Sequence, residues 1–167
     1  MIEVLYSRAI RRKYPEPTVL VMSCDSEGKP NVMPAGWSMV TSGTPPMLAV
    51  SIGHKRYTHE LIEETSEFVL VFPNEDMNDL IDFTGSCSGR NTDKFAEYVI
   101  AASESKYVRP PLIKDAVACF ECKVRGKLLA GDHTIFAGEV LASHISEIYT
   151  DRLYNFGNGV HRKIPNK

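Results

Sequence analysis

The chain predicts a mainly β domain with short helices, folded as a closed or nearly closed antiparallel barrel. Three observations carry this. Six or seven apolar or alternating runs are separated by turn residues. The two longest, 116–129 and 133–145, flank Ala130-Gly131-Asp132, a hairpin signal. The helical stretches between runs are short and show no regular strand–helix–strand alternation, which argues against a doubly wound sheet.

The first strand is expected at 18–24, with Val19, Leu20, Val21 and Met22 as its apolar run. Residues 25–29 read as a hairpin turn in which Gly28 can take positive φ. Strands follow at 31–34 and 37–41; Pro45-Pro46 closes a loop, and 47–52 is a short buried strand. Residues 58–65 predict a helix capped by Thr58, with Leu61 and Ile62 inward. The strand 68–72 stops at Pro73, and Asn74 caps a helix whose face holds Met77, Leu80, Ile81 and Thr84. Residues 85–89 read as a loop, and Thr92 as the cap of a helix carrying Phe95, Tyr98 and Val99. Residues 103–114 are an irregular crossing, and the tail, 154–167, is expected on the surface or on a partner.

At 167 residues the chain predicts one domain, 1–167, able to bury a full core. With 19 basic and 21 acidic residues it has no cationic excess for a nucleic-acid backbone. No run is long enough to span a bilayer and no secretory leader is evident, so a cytoplasmic location is expected. Cys119-x-x-Cys122 invites a metal or redox reading. On a strand, however, residues three apart face opposite ways, and no second pair completes a site, so no metal is expected. Cys122 and Cys24 read as core, and Cys119 as facing outward or into an interface.

Chemistry concentrates between residues 34 and 62. The cationic loop His54-Lys55-Arg56 directly precedes a helix start at Thr58. Helix amides, a hydroxyl and cations together suit a phosphate monoester; the alternative is a capped surface helix behind a solvated charge pair. Upstream, Gly36-Trp37-Ser38 allows close backbone approach by a flat ring, although a lone Trp commonly packs in the core. A ligand with a flat apolar body and an anionic tail fits this order, and FMN is one. His133, at the start of a strand, is a candidate proton-transfer group, or else a solvated hairpin end. Ser86, Arg90 and Lys94 lie in a stretch that offers cations to an anion or simply forms a solvated helix start. The chain has no Gly-x-Gly-x-x-Gly after a strand, so a nicotinamide would not sit in a dinucleotide cleft of the usual kind.

From about residue 18 to 143 the chain resembles the flavin reductase-like family of FMN-binding split β-barrels, of the flavoredoxin and archaeal ferric reductase type. The resemblance rests on Asp25-x-x-Gly28-x-x-Asn31, Gly36-Trp37-Ser38, Thr41-Ser42 before Pro45-Pro46, and Arg56-x-Thr58-x-x-x-Ile62. It continues through Ser86-x-Ser88-Gly89, Asp93-Lys94-Phe95, Cys122, Gly131-Asp132-His133 and Gly138-Glu139-Val140. It implies a homodimer with FMN near the interface. It implies that Ala35, Gly36, Trp37 and Ser38 meet the ring and ribityl chain. Ser51, Ile52, Gly53, Lys55, Arg56 and Thr58 would line the ribityl and phosphate site. Cys87, Ser88 and Gly89 would lie near the flavin, from the same or the second subunit, and His133 beside the ring. Relatives often carry a Tyr after a Gly-rich pair, where this chain has Val160-His161 after Gly157-Asn158-Gly159.

The expected function is therefore an FMN-dependent oxidoreductase, passing electrons from NAD(P)H or a redox protein to free flavin, a ferric chelate or another acceptor. A non-catalytic FMN electron carrier would share every motif. A cofactor-free β-barrel interaction module would make the motifs coincidental.

Overall fold

The computed structural model describes residues 1–148 and 150–165. One helical turn, α1 (Tyr6–Ala9), and a 3₁₀ turn lead into β1 (Glu16–Pro17), β2 (Val19–Cys24), β3 (Pro30–Ala35), β4 (Ser38–Gly43) and β5 (Pro46–Gly53). Next come α2 (Tyr57–Thr65), β6 (Glu67–Phe72), α3 (Asn78–Ser86) and α4 (Lys94–Glu97). The short pair β7 (Ala102–Ser103) and β8 (Leu112–Ile113) precedes the long hairpin β9 (Ala118–Ala130) and β10 (His133–Ile145). A last hairpin, β11 (Arg152–Asn155) and β12 (His161–Ile164), follows.

Seven strands form the main sheet in the order β3-β2-β6-β9-β10-β5-β4, with every neighbouring pair antiparallel. Its edge strands, β3 and β4, are consecutive in the chain and are separated only by Gly36 and Trp37. The sheet therefore curls until its edges meet at that link, yet the edges do not pair. This is a split barrel.

Both faces of the central strands are covered, which is why β2 and β6 read as continuous apolar runs. Alternate residues feed two cores. Val19, Val21, Phe68, Leu70 and Cys122 pack with Ile62 of α2 and Phe136. Leu20, Met22, Val69, Val71 and Cys119 pack with Leu80 and Ile81 of α3. The two thiols face opposite ways as expected, but Cys119 is buried rather than outward, because β8 and α3 cover that face. Burial pushes Cys122 up to about 12 and Cys119 and Cys24 up to about 11, leaving three inert thiols.

Gly28 takes the expected positive φ, at 89°. Several boundaries differ from expectation. Arg56, not Thr58, is the N-cap of α2, because the helix already begins at Tyr57. Asp93, not Thr92, caps α4; its carboxylate accepts from the amides of Phe95 and Ala96. α4 lasts only four residues and Val99 is exposed. Gly85 and Ser86 belong to α3 rather than to a loop. The tail, expected on the surface or on a partner, is mostly exposed or half-buried and forms strands: β12 pairs β11, and β11 pairs β1, in a separate three-stranded sheet. Gly157, Asn158 and Gly159 turn this hairpin with φ of 93°, 54° and 74°. Asn166 and Lys167 of the predicted tail lie outside the described residues.

The crossing segment is tied down by two buried carboxylates. Glu121, fully buried, accepts from the amides of Lys106 (2.9 Å), Tyr107 (2.6 Å) and Val108 (3.3 Å) and from His144 Nε2 (2.7 Å). Glu67 accepts from the Arg109 amide at 3.0 Å and from Lys123 Nζ at 2.8 Å. Burial alone would push the Glu121 carboxyl up, but these donors outweigh it and hold the group below its ordinary 4.5. A carboxyl lowered in the folded state stabilises fully above its unfolded pKa, and that contribution is lost as pH falls through the folded one. Glu121→Gln should therefore cost about 1.5–3 kcal/mol in unfolding free energy near neutral pH. The gap to wild type should narrow in urea melts below about pH 4.5. An equal gap at both pH values would contradict the assignment.

Candidate functional site

The Gly36–Trp37 link is pinned to β5 by the Ser51 amide, which donates to the Trp37 carbonyl at 2.9 Å. β10 runs beside β5 in a register that sets His133 opposite Gly53. The Trp37 and His133 rings lie 4.8 Å apart, tilted by 35°. Trp37 is thus half exposed and not a core residue. His133 Nδ1–H donates to Asp132 Oδ1 at 2.6 Å, which leaves Nε2 on the side of Gly53. That bond, the main cause, holds the Asp132 carboxyl below its usual range.

These residues wall a groove of about 280 Å³. Six of the expected residues, Ala35, Gly36, Trp37, Ser51, Gly53 and Arg56, line it together with His133. Ser38 lines a smaller, adjoining hollow of about 190 Å³ that also borders Trp37 and Ser51. Ile52 points into the core and is fully buried, so it offers only its backbone.

The cationic end of the groove is the start of α2. Lys55 and Arg56 are exposed, and among the described residues neither has a carboxylate partner. The first amides of α2 have no acceptor inside the helix. Thr58 is buried, and its hydroxyl accepts from Asn31 Nδ2 at 2.9 Å, so it faces inward. Asn31 also donates to Ser23 Oγ at 3.2 Å, while its own Oδ1 has no hydrogen-bond partner.

Gly89 lies directly on Asn31. A Cβ there would sit 2.2 Å from Asn31 Oδ1 and 3.0 Å from the Tyr57 ring. The Cys87–Gly89 stretch is thereby brought to the α2 start of its own chain. Within it, Ser88 is exposed, and Cys87 Sγ donates to the Phe83 carbonyl at 3.4 Å. Arg90 pairs with Glu60 and lies over the Tyr57 ring, 5.6 Å away.

Lys94 is not a solvated cation. Its ammonium is buried and donates to the carbonyls of Val32 at 2.8 Å and Thr84 at 2.6 Å. Burial pushes its pKa down, yet it complements the negative end of α3 and ties that helix to β3. Sequence reasoning also passed over His59, whose Nε2 shares a hydrogen bond with Thr134 Oγ1 at 2.9 Å. Burial lowers its pKa below the imidazole norm. Polar residues set in apolar surroundings, as Asn31 and Thr134 are, were the available signal for this buried layer.

Residues 10–163 match the flavin reductase like domain, and the chain belongs to that family. An uncharacterized protein of Archaeoglobus fulgidus is 41% identical over 128 residues, covering 77% of this chain and 71% of that one. An FMN-binding protein from Thermus thermophilus, solved with bound p-hydroxybenzaldehyde, is 27% identical and superposes with a TM-score of 0.88, covering 100% of this chain and 98% of that chain. The flavoredoxin of Desulfovibrio vulgaris (Miyazaki F) is 25% identical with a TM-score of 0.87, covering 100% and 95%. Among the described residues no helix is long and apolar enough to cross a membrane, and no cluster of His, Cys, Asp or Glu is placed to hold a metal.

Proposed function

We propose that the protein is an FMN-dependent oxidoreductase that takes electrons from NAD(P)H or a redox protein and passes them to free flavin, a ferric chelate or another acceptor. One observation carries this reading. A single groove runs from the Trp37–His133 pair to the unpaired Arg56 at the start of α2.

The residues suit FMN. Lys55, Arg56 and the free amides of α2 supply charge and donors for a phosphate. Gly53 leaves the groove open beside His133, where an added Cβ would approach Nε2 at 3.4 Å, and Gly36 makes room for the Glu16 side chain, whose Oε1 an added Cβ would meet at 2.5 Å, so that a flat ring can lie on the backbone of residues 35–37. Ser51 flanks that floor, and Ser38 lies in the adjoining hollow past Trp37. Asn31, Thr58 and Lys94 act one layer down, holding β3, α2 and α3 in place. When bound, FMN supplies the hydride or electron transfer. His133 holds or releases a proton at Nε2, while Asp132 keeps Nδ1 protonated and the ring oriented.

Assembly as a homodimer is part of the same proposal. Trp37, Met39 and Val40 leave an apolar strip along the open edge β4, and Leu128 and Leu129 another at the end of β9. A monomer in sedimentation at micromolar concentration would contradict it.

The test is anaerobic stopped-flow on the FMN-loaded protein. His133→Ala should retain FMN and slow reduction or reoxidation by about 10²–10⁴-fold. Dithionite needs no docking site, so a defect confined to NADH or NADPH assigns His133 to holding the donor. Unchanged half-reactions with every donor and acceptor would remove His133 from the chemistry. Reduction by dithionite but by neither nucleotide would favour the electron carrier over the reductase.

A further inference from the structure

Behind the groove floor lies an ion pair that has no part in holding the phosphate or in the His133 chemistry. Glu16, the first residue of β1, fills the side of Gly36 where other residues carry a side chain; an added Cβ would lie 2.5 Å from its Oε1 and 2.8 Å from its Cδ. Its second carboxylate oxygen pairs with Lys13 Nζ. That ammonium stands 5.5 Å from the centre of the Trp37 ring and 5.0 Å from that of Tyr14. A carboxylate therefore backs one residue of the Gly36–Trp37 link, and an ammonium lies over the ring of the next.

The three-stranded sheet holds the pair in place. β1 pairs β11 with Glu16 opposite Asn155, and Asn155 Nδ2 donates to Glu16 Oε1 at 3.5 Å. The Tyr14 ring packs on Gly157 in the turn of the last hairpin, where an added Cβ would meet it at 3.1 Å. The Lys13 and Glu16 side chains are only 25% and 14% exposed, so water screens them less than it screens charges at the surface. Neither lines the groove, so each acts on its contents through the backbone between.

Flavin reduction changes the charge on the ring. A hydride, which is two electrons and one proton, turns the neutral oxidised ring into a dihydroflavin anion near neutral pH, and the NAD(P)H that gives it up becomes NAD(P)⁺. A carboxylate close to the ring disfavours that anion and an ammonium favours it. The neutral oxidised ring responds little to either.

We propose that Glu16 and Lys13 set the reduction potential of FMN bound on the Gly36–Trp37 floor, the two charges acting in opposite directions. The inference rests on the flavin reading of the groove. Gly36 serves it twice: its backbone carries the ring, and its missing side chain lets the carboxylate come close from behind.

The test measures the two-electron potential of bound FMN by anaerobic dithionite titration against reference dyes, and the affinity for oxidised FMN in every variant. Glu16→Gln keeps the side-chain shape and removes its charge. It should shift the balance toward reduced FMN tenfold or more, a rise of about 30 mV for a two-electron couple. Lys13→Met keeps an apolar stem beside Trp37 and leaves Glu16 uncompensated, so it should shift the balance the other way by a similar factor. Lys13→Arg, and the double variant Lys13→Met with Glu16→Gln, should each return to within threefold of wild type. Affinity for oxidised FMN should stay within threefold throughout. Shifts of the same sign in the two single variants, or potentials that do not move, would overturn the proposal. So would weakened binding of oxidised FMN at an unchanged potential, which would leave the pair only the task of anchoring β1. If Lys13→Met fails to fold around its unpaired carboxylate, the double variant decides: its potential should fall back from that of Glu16→Gln alone, and an equal value would overturn the proposal. Failure of the wild type to take up FMN would bring down the flavin reading itself, and this inference with it.

Discussion

The two edge strands of the main sheet are joined by just two residues, and that short tether governs the rest of the architecture. β3 and β4 must meet at Gly36–Trp37, but the chain enters and leaves that link without pairing one edge to the other. Backbone groups along an unpaired seam need other partners, and the Ser51 amide satisfies one carbonyl there. The rest of the seam is left as a floor of small residues with β10 and His133 on one side. A fully zipped barrel would have no such floor, and the fold would hold only a packed interior.

A seam alone does not make a site; its walls have to be held still. That task falls to a buried polar layer. Asn31 links β2, β3 and α2 through Ser23 and Thr58, and Lys94 links β3 to the end of α3. Both sit on the same side of the barrel as the start of α2. Burying an ammonium is costly, and Lys94 is tolerated because two carbonyls and the negative end of α3 offset part of the desolvation. The groove thus rests on rigid elements, with exposed residues such as Lys55, Arg56 and Ser88 only at its rim.

Much of this was legible in the residues. The main strands and the long hairpin follow from apolar runs and turn chemistry, because covered strands of this kind write their burial directly into the chain. Gly36, beside the lone Trp, and Arg56, a cation at a helix start, stand out locally, whereas Ala35, Ser51 and Gly53 are named only through the family resemblance. What was missed depends on distant partners. β11 and β12 are four residues each and include Arg152, Arg162 and Lys163, so their pairing with each other, and that of β11 with β1, leaves no local periodicity. Lys94 reads as a surface cation until Val32 and Thr84 close over it. Cys119 reads as facing outward or into an interface until β8, itself only two residues long, covers it.

The central claim is that the start of α2 holds a phosphate at the end of the groove floored by Gly36. Parallel titrations of FMN and riboflavin against wild type and Arg56→Ala test it most directly, because the two flavins differ only in that phosphate. The account predicts one FMN per chain, riboflavin bound more weakly, and a loss of tenfold or more in FMN affinity in Arg56→Ala, equivalent to about 1.5–3 kcal/mol for a charge-assisted hydrogen bond, with riboflavin little changed. Equal affinity for the two flavins in the wild type, or an equal loss of both in the variant, would contradict it.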